Sequence, residues 1–291
     1  MKKILISCLC TLAFAACSTQ IQLSCTAPSC VGLEKGSKLE IQASNSDVGR
    51  KIQQTLIEEL QHGGFYTLCD SGDYVLKLTD SEEHTWGSVF SNPFDDDELE
   101  ETTEVETRIS LSSRKSNVFG YSRTYSVSTE GMVADVESLC HNISQDLQPH
   151  RLLYKEELNA PVHNPSFKQA VNYAQGGVWQ IARQHAILAT RITPLEPETH
   201  YLLGLIERQL GDFEASDACF LQANKLKADV RYTAALKLNK LMQRGLPNAR
   251  FQLKLKEGEP FNPKTLPAYY KPADKPWAQI FFPMNHQNIP R

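Results

Sequence analysis

Hydrophobic positions cluster first at the start of the chain, where Lys2 and Lys3 precede a mainly apolar run from Ile4 to Phe14 that ends in Ala15, Ala16 and Cys17. A charged start, a short apolar core and small closing residues have the layout of a removable export signal, too short to span a bilayer. Further on the pattern turns to alternation. Leu39, Ile41 and Ala43 predict a short strand, and Ser46 and Asp47 open a helix carrying Val48, Ile52, Leu56 and Leu60 at every fourth position. Two short strands follow over 65–69 and 74–79, separated by the turn residues 70–73. Val105, Thr107, Ile109 and Leu111 share one face of a longer strand, and Phe119, Tyr121, Arg123, Tyr125 and Val127 share one face of its hairpin partner. Val133, Val136, Cys140, Ile143 and Leu147 predict a second amphipathic helix. That order suits a small mixed, mainly antiparallel sheet with helices packed on one face.

From residue 163 the spacing becomes helical and repeats. Phe167, Ala170, Tyr173, Gly177, Trp179, Ala182, Ala186, Ala189 and Pro194 are echoed one 34-residue period later by Tyr201, Gly204, Gly211, Phe213, Ser216, Phe220 and Ala223. Small residues (Ala170 and Gly204, Ala182 and Ser216) let paired helices approach, while Trp179, Phe213 and Phe220 fill the space beside them. Residues 229–244, with Tyr232, Ala235, Leu238 and Leu241, continue the pattern as a third unit or a cap. The predicted class is therefore α+β, an α/β domain followed by an all-α repeat domain. The expected layout is a signal over 1–16, Cys17 with a flexible Ser/Thr/Pro-rich tether to 37, the α/β domain over 38–149 and helical repeats over 150–246. A Pro- and aromatic-rich tail over 247–291 carries Tyr269, Tyr270, Trp277, Phe281 and Phe282, and so many aromatics predict docking on the chain itself.

Phe14-Ala15-Ala16-Cys17 resembles the bacterial lipobox, with Phe14 where that motif usually has Leu, Ile or Val. The resemblance implies a diacylglycerol on the Cys17 thiol, cleavage before it and acylation of the new amino terminus. Ser18 in place of Asp implies the outer membrane, facing the periplasm. An ordinary secreted protein cut after Ala16 is the alternative. The 34-residue pattern is similar to tetratricopeptide repeats for two units, although Glu207 stands in place of the usual aromatic and Ala228 in place of the closing proline. Gly64-Phe65 and Asp73-Tyr74-Val75-Leu76, with the order of elements over about 38–148, resemble the small α/β domain of curli-secretion-type lipoproteins, activators of peptidoglycan synthases and TolB-type proteins. Together these features look like a Gram-negative tetratricopeptide lipoprotein. In such repeats the first helix of each pair lines a concave groove, here Asn164, Phe167, Val171, Ala174 and Gln175, then Glu198, Tyr201, Leu205, Arg208 and Gln209. The implied partner is an envelope protein or extended peptide in that groove. The alternative is that Phe167, Tyr201 and Leu205 pack internally, with the tail filling the groove.

At 41% hydrophobic and 22% charged the chain has the means for a real core, and a net charge of −4 leaves no basic field for nucleic acid. No later segment approaches the ~18 apolar residues of a spanning helix, so membrane attachment is expected through lipid at Cys17. An oxidising compartment makes Cys25 with Cys30, and Cys69 with Cys140, candidate disulfides; Cys219 reads as a small buried apolar group. Neither zinc spacing nor a calcium loop is present, the acidic run 94–101 reads as a solvated loop, and Trp86, Phe90 and Phe94 read as packing beside it. No cofactor or metal is expected. Nucleophile elbows, metal-helix motifs and phosphate loops are missing, although His141, His150 and His163 lie near one junction. The expected role is a non-enzymatic interaction adaptor in envelope assembly or secretion. A homo-oligomer built through the α/β domain is the second expectation, weakened by the absence of a long amphipathic hairpin from the predicted strands. An envelope hydrolase is the third.

Overall fold

The computed structural model describes residues 18–90, 98–115, 120–130, 135–161, 163–271 and 276–281. Cys17 and the residues before it, Phe94 with the first part of the acidic run, Phe119, Val133, Phe282 and the side chains of Trp86 and Phe90 lie outside the described residues. Strands β1 (Ser18–Ala27) and β2 (Lys38–Ala43) precede helix α1 (Asp47–Gly63). Strands β3 (Thr67–Leu68), β4 (Tyr74–Phe90), β5 (Glu98–Ser113) and β6 (Gly120–Glu130) lead to α2 (Val136–Leu147) and β7 (His150–Asn159). Helices α3 (Pro165–Gln175), α4 (Trp179–Ile192), α5 (Pro197–Leu210), α6 (Phe213–Leu226) and α7 (Val230–Gln252) follow, then β8 (Ala268–Tyr270) and α8 (Trp277–Phe281). The class is mixed α+β. Two compact units are formed, one from 24–153 with 240–291 and one from 1–23 with 154–239.

In the first unit a five-stranded sheet has the order β3–β2–β4–β5–β6. β2 runs parallel to β3 and β4, and β4, β5 and β6 are antiparallel in sequence. Helix α1 starts because the Ser46 hydroxyl accepts from Gly49 N at 3.0 Å, and it stops at Gly64, whose φ of 60° suits a residue without Cβ. Ile52, Leu56 and Leu60, each fully buried, form its inner stripe. Asp135 caps α2 in the same way through Ser138 N at 2.8 Å. These two helices share one core with the sheet: Leu39, Leu76, Leu78, Ile109 and Leu111 meet Leu56, Leu139, Ile143 and Leu147. The face predicted for β5 is the buried one, and its register sets Val105, Thr107, Ile109 and Leu111 opposite Val127, Tyr125, Arg123 and Tyr121.

Three expectations need correction here. Residues 18–27 are a strand rather than a flexible tether: Ile21, Leu23, Cys25 and Ala27 are buried at alternate positions, and Val31 and Leu33 continue into the core. The Ser29 amide donates to Gln252 Oε1 at 2.8 Å, which ties the stretch down. Strand β4 does not stop at residue 79. It runs 17 residues and pairs with β5 from Tyr74↔Ser113 to Phe90↔Glu98, past a register shift between Thr79 and Glu82, so a long hairpin is present after all. Residues 150–159, expected to open the helical repeats, are strand β7, with Leu152, Tyr154 and Leu158 buried. β7 is the middle strand of a second sheet of order β1–β7–β8, and Arg151 and Leu153 pair in parallel with Ala268 and Tyr270. In the tail, Tyr269 and Phe281 are buried; a Cβ on Gly245 would stand 2.5 Å from the Phe281 ring.

The second unit contains two helical hairpins, α3 with α4 and α5 with α6, joined through contact of α4 with α5. The small residues behave as their spacing predicts. Ala170, Ala182 and Ser216 are fully buried, Ser216 Oγ donates to Gly204 O at 2.7 Å, and a Cβ on Gly204 would lie 2.5 Å from the Phe220 ring. Gly211, with φ of 85°, closes α5, and Asp212 caps α6 through Ala215 N at 2.9 Å.

Candidate functional site

The residues expected to line an open groove are mostly inside the helical unit. Asn164, Phe167, Val171, Tyr201, Leu205 and Arg208 are all buried, as are Ala174 and Glu198; Gln209 is half-buried and Gln175 alone is exposed. Asn164 serves as a hinge pin. Its Oδ1 accepts from Phe167 N at 3.0 Å to cap α3, and its Nδ2 donates to Ala189 O and Thr193 Oγ1 at the end of α4.

What covers the inner face of α5 is the chain's own β7 and α7. Tyr201 donates to Glu156 Oε2 at 2.9 Å and packs between Phe220 and Tyr232, with ring centroids at 5.6 and 5.0 Å. Glu198 accepts from Arg231 Nη2 at 2.6 Å, Tyr232 OH at 2.8 Å and Asn159 N at 3.1 Å. Arg208, only 2% exposed, donates to Asn239 Oδ1 at 2.6 Å, Ala235 O at 2.8 Å and Tyr154 OH at 3.2 Å, with its guanidinium 4.9 Å above the Phe220 ring. Burial raises the Glu156 carboxyl above its ordinary range and holds the Tyr201 and Tyr232 phenols neutral. The groove is therefore filled, because β7 supplies acceptors and α7 supplies partners for Glu198 and Arg208, two charges that α5 buries. β7 was the element missed. Its alternation of Leu152, Tyr154 and Leu158 is the signal that could have found it.

The α/β unit holds two further polar clusters. Asp146, 1% exposed, accepts from Tyr125 OH at 2.8 Å, Tyr121 OH at 3.4 Å, Cys30 Sγ at 3.2 Å and the Arg123 guanidinium. Burial pushes both phenols upward, and the neighbouring carboxylate adds to the shift. No disulfide joins the described cysteines. The expected pairs Cys25–Cys30 and Cys69–Cys140 are unformed, since the Cys30 thiol is turned to Asp146 and the Cys140 thiol donates to Ile52 O at 3.5 Å inside the core.

The second cluster brings together two of the three histidines singled out in the sequence. His141 and His150 both stand edge-on to Tyr269, with centroids at 4.2 and 5.3 Å, while His163 belongs to the other unit. His141 Nδ1 is 3.0 Å from Glu59 Oε1, and the fully buried Ser144 Oγ is 3.0 Å from the same oxygen and 2.9 Å from Tyr269 OH. Serine and histidine thus converge on one carboxylate instead of on each other, so this group makes no Ser–His contact of the kind that activates a serine nucleophile. Beside it a cleft is lined by Phe65, Gln148, Leu253, Phe261 and Leu266, and Gln148 Oε1 is buried there without a partner. Among the described residues no three His, Cys, Asp or Glu side chains are placed to hold a metal ion, and no helix is long and apolar enough to cross a membrane.

No protein-family model and no curated protein matches the chain. Solved structures similar to part of it include a minor lipoprotein from Acinetobacter baumannii, 14% identical, covering 39% of this chain and 92% of that one with a TM-score of 0.29. A PelC dodecamer from Paraburkholderia phytofirmans is 15% identical, covering 45% of this chain and 98% of that one with a TM-score of 0.30. Likeness of this degree assigns neither an activity nor an assembly.

Proposed function

We propose that the protein is a lipid-anchored envelope lipoprotein, held in the outer membrane through Cys17 and facing the periplasm, that works by binding protein and not by catalysis. The lipobox-like Phe14-Ala15-Ala16-Cys17 supports the anchor. The expected adaptor role is kept, but its binding surface moves from the repeat groove, which β7 and α7 occupy, to the strand edges of the five-stranded sheet.

One observation carries this reading. β6 is eleven residues long and among the described residues pairs only with β5, while β4 beyond Leu78 pairs only with β5 as well. Each unpaired edge presents a row of backbone N–H and C=O groups that an extended segment can join as an added strand. The same edges favour a second reading, pairing between copies of the chain in an oligomer. Crosslinking in envelopes of the native host separates these readings. The wild type is compared with Ser126→Lys/Ser128→Lys, which sets charge along the β6 edge at exposed positions. Partners captured by the wild type and lost in the variant support the adaptor. A partner set that the variant leaves unchanged defeats the edge assignment. Capture of the protein alone, with its mass in detergent falling in the variant, replaces the adaptor with the oligomer.

A further inference from the structure

We infer that the outer face of α4 is a lipid-contact surface that lies against the anionic membrane to which the chain is anchored. The inference rests on the proposed lipid anchor at Cys17. Its evidence within the helical unit is a face of unusual composition. Val178, Ile181, Leu188 and Ile192 are 43%, 38%, 44% and 51% exposed, Leu195 in the next turn is 80% exposed, and Tyr173 of α3 adds its ring at 38%. At 100° per residue the four α4 positions fall within a sector of roughly 100°. The face beside it, about a quarter-turn round the helix, is spent on packing, through the fully buried Ala182, Ala186 and Ala189.

Charge along the α3–α4 hairpin has one sign, and the first acid after it is Glu196, beside Leu195. Residues 163–192 contain no acidic side chain; their cations are Lys168, Arg183 and Arg191. Arg183 is engaged by Glu207 at 2.7 Å, whereas Lys168 and Arg191 are exposed. An apolar stripe on a hairpin whose charged side chains are all cations is the pattern of a helix lying in an anionic membrane interface. A protein partner would need a matching apolar and acidic surface, and nothing in this unit supplies one.

The start of the chain decides between these occupants. Because β1 begins at Ser18, there is no slack between Cys17 and the folded unit. Gln20 O accepts from Nε2 of Gln175, the last residue of α3, and Val178 follows three residues later. Three residues from Cys17 to Gln20 reach at most about 10 Å, against on the order of 60 Å for a free tether over 17–37. A lipid on Cys17 therefore brings the α3–α4 turn to the bilayer, and the exposed stripe starts at that turn.

The test uses the full-length lipidated protein in vesicles of phosphatidylethanolamine and phosphatidylglycerol with brominated acyl chains. Leu188→Trp is compared with Leu221→Trp, a 58% exposed position on α6, after subtracting the emission of native Trp86, Trp179 and Trp277. The expected result is at least a twofold loss of the added emission at 188 and none at 221. Equal emission at both positions overturns the inference, and so does shielding at 188 that is independent of bromine and accompanied by a dimer, which would seat a second copy on the face. Mass spectrometry of the amino-terminal peptide reports the anchor separately. An acylated Cys17 with unquenched Leu188→Trp defeats the α4 surface alone, and an unmodified Cys17 defeats the anchor.

Discussion

Replacing Arg208 with methionine distinguishes a structural cation from a residue waiting for a partner. Methionine keeps much of the stem over Phe220 but removes all the donors. Asn239 Oδ1 and Ala235 O then lose the bonds now formed at 2.6 and 2.8 Å in a site where Arg208 is 2% exposed. A buried acceptor left unpaired costs about 1–3 kcal/mol, so two of them cost about 4 kcal/mol at a middle value. Loss of the contact with the Phe220 ring adds about 1 kcal/mol. Release from burying a guanidinium, worth about the same in the other direction, offsets it. The net expectation is about 4 kcal/mol of lost stability, and with a urea slope of about 2–3 kcal/mol/M the midpoint falls by roughly 1.3–2 M. Far-UV circular dichroism during urea titration measures it. An unchanged midpoint combined with loss of a captured envelope partner would refute the reasoning and return Arg208 to an open groove.

Gly204→Ala puts a methyl 2.5 Å from the Phe220 ring and should cost about 1–3 kcal/mol, partly recovered by adding Phe220→Leu; thermal unfolding reads both. Burial pushes the Cys140 thiol up to about 12, so a thiol reagent at pH 8 should leave it unmodified until denaturant is added, as peptide mapping would reveal. Tyr66, Tyr121, Tyr125, Tyr201 and Tyr232 all have phenols raised by burial. The unfolded chain loses these protons near about pH 10 while the folded chain keeps them, so their stabilisation is complete below that pH and is lost progressively above it. Urea midpoints at pH 9 and 11 should show the fall, and Tyr125→Phe should make it shallower.

Elements whose periodicity is carried by large apolar residues were legible from the chain. α1 announced itself through Ile52, Leu56 and Leu60, the β5–β6 hairpin through Ile109 and Tyr121, and the helical hairpins through Gly204 and Phe220 at matched spacing. Elements whose outward positions are Ser, Thr or Glu were not. In β1 the pattern Ile21, Leu23, Cys25, Ala27 is a strand period, yet the Ser and Thr between them read as a tether. In β4 the polar stretch Glu82-Glu83-His84 conceals a strand that long-range pairing with β5 sustains. The groove residues failed for another reason. Repeat spacing says which face of α5 is concave but not what lies in the concavity, and Tyr154, Glu156 and Asn239, which occupy it, come from segments 40 or more residues before and 30 after the Arg208–Tyr201 pair. Asp146 was passed over because its partners Cys30, Tyr121 and Tyr125 are gathered from a loop and a strand distant in the chain.

The route of the chain through its two units has a consequence for how the protein is made. The α/β unit is opened by residues 24–153 and finished by 240–291, with 154–239 set between. Gln252 holds the Ser29 backbone, and Tyr269 covers Ser144 and His141. A chain exported amino terminus first, the route that the proposed lipid anchor entails, therefore presents this unit with its closing segment still to come. Helices α3 to α6 of the helical unit, by contrast, are complete by residue 226, and can settle first. Premature closure is built out of the sequence, since the last pieces of the sheet unit are also the last to be delivered.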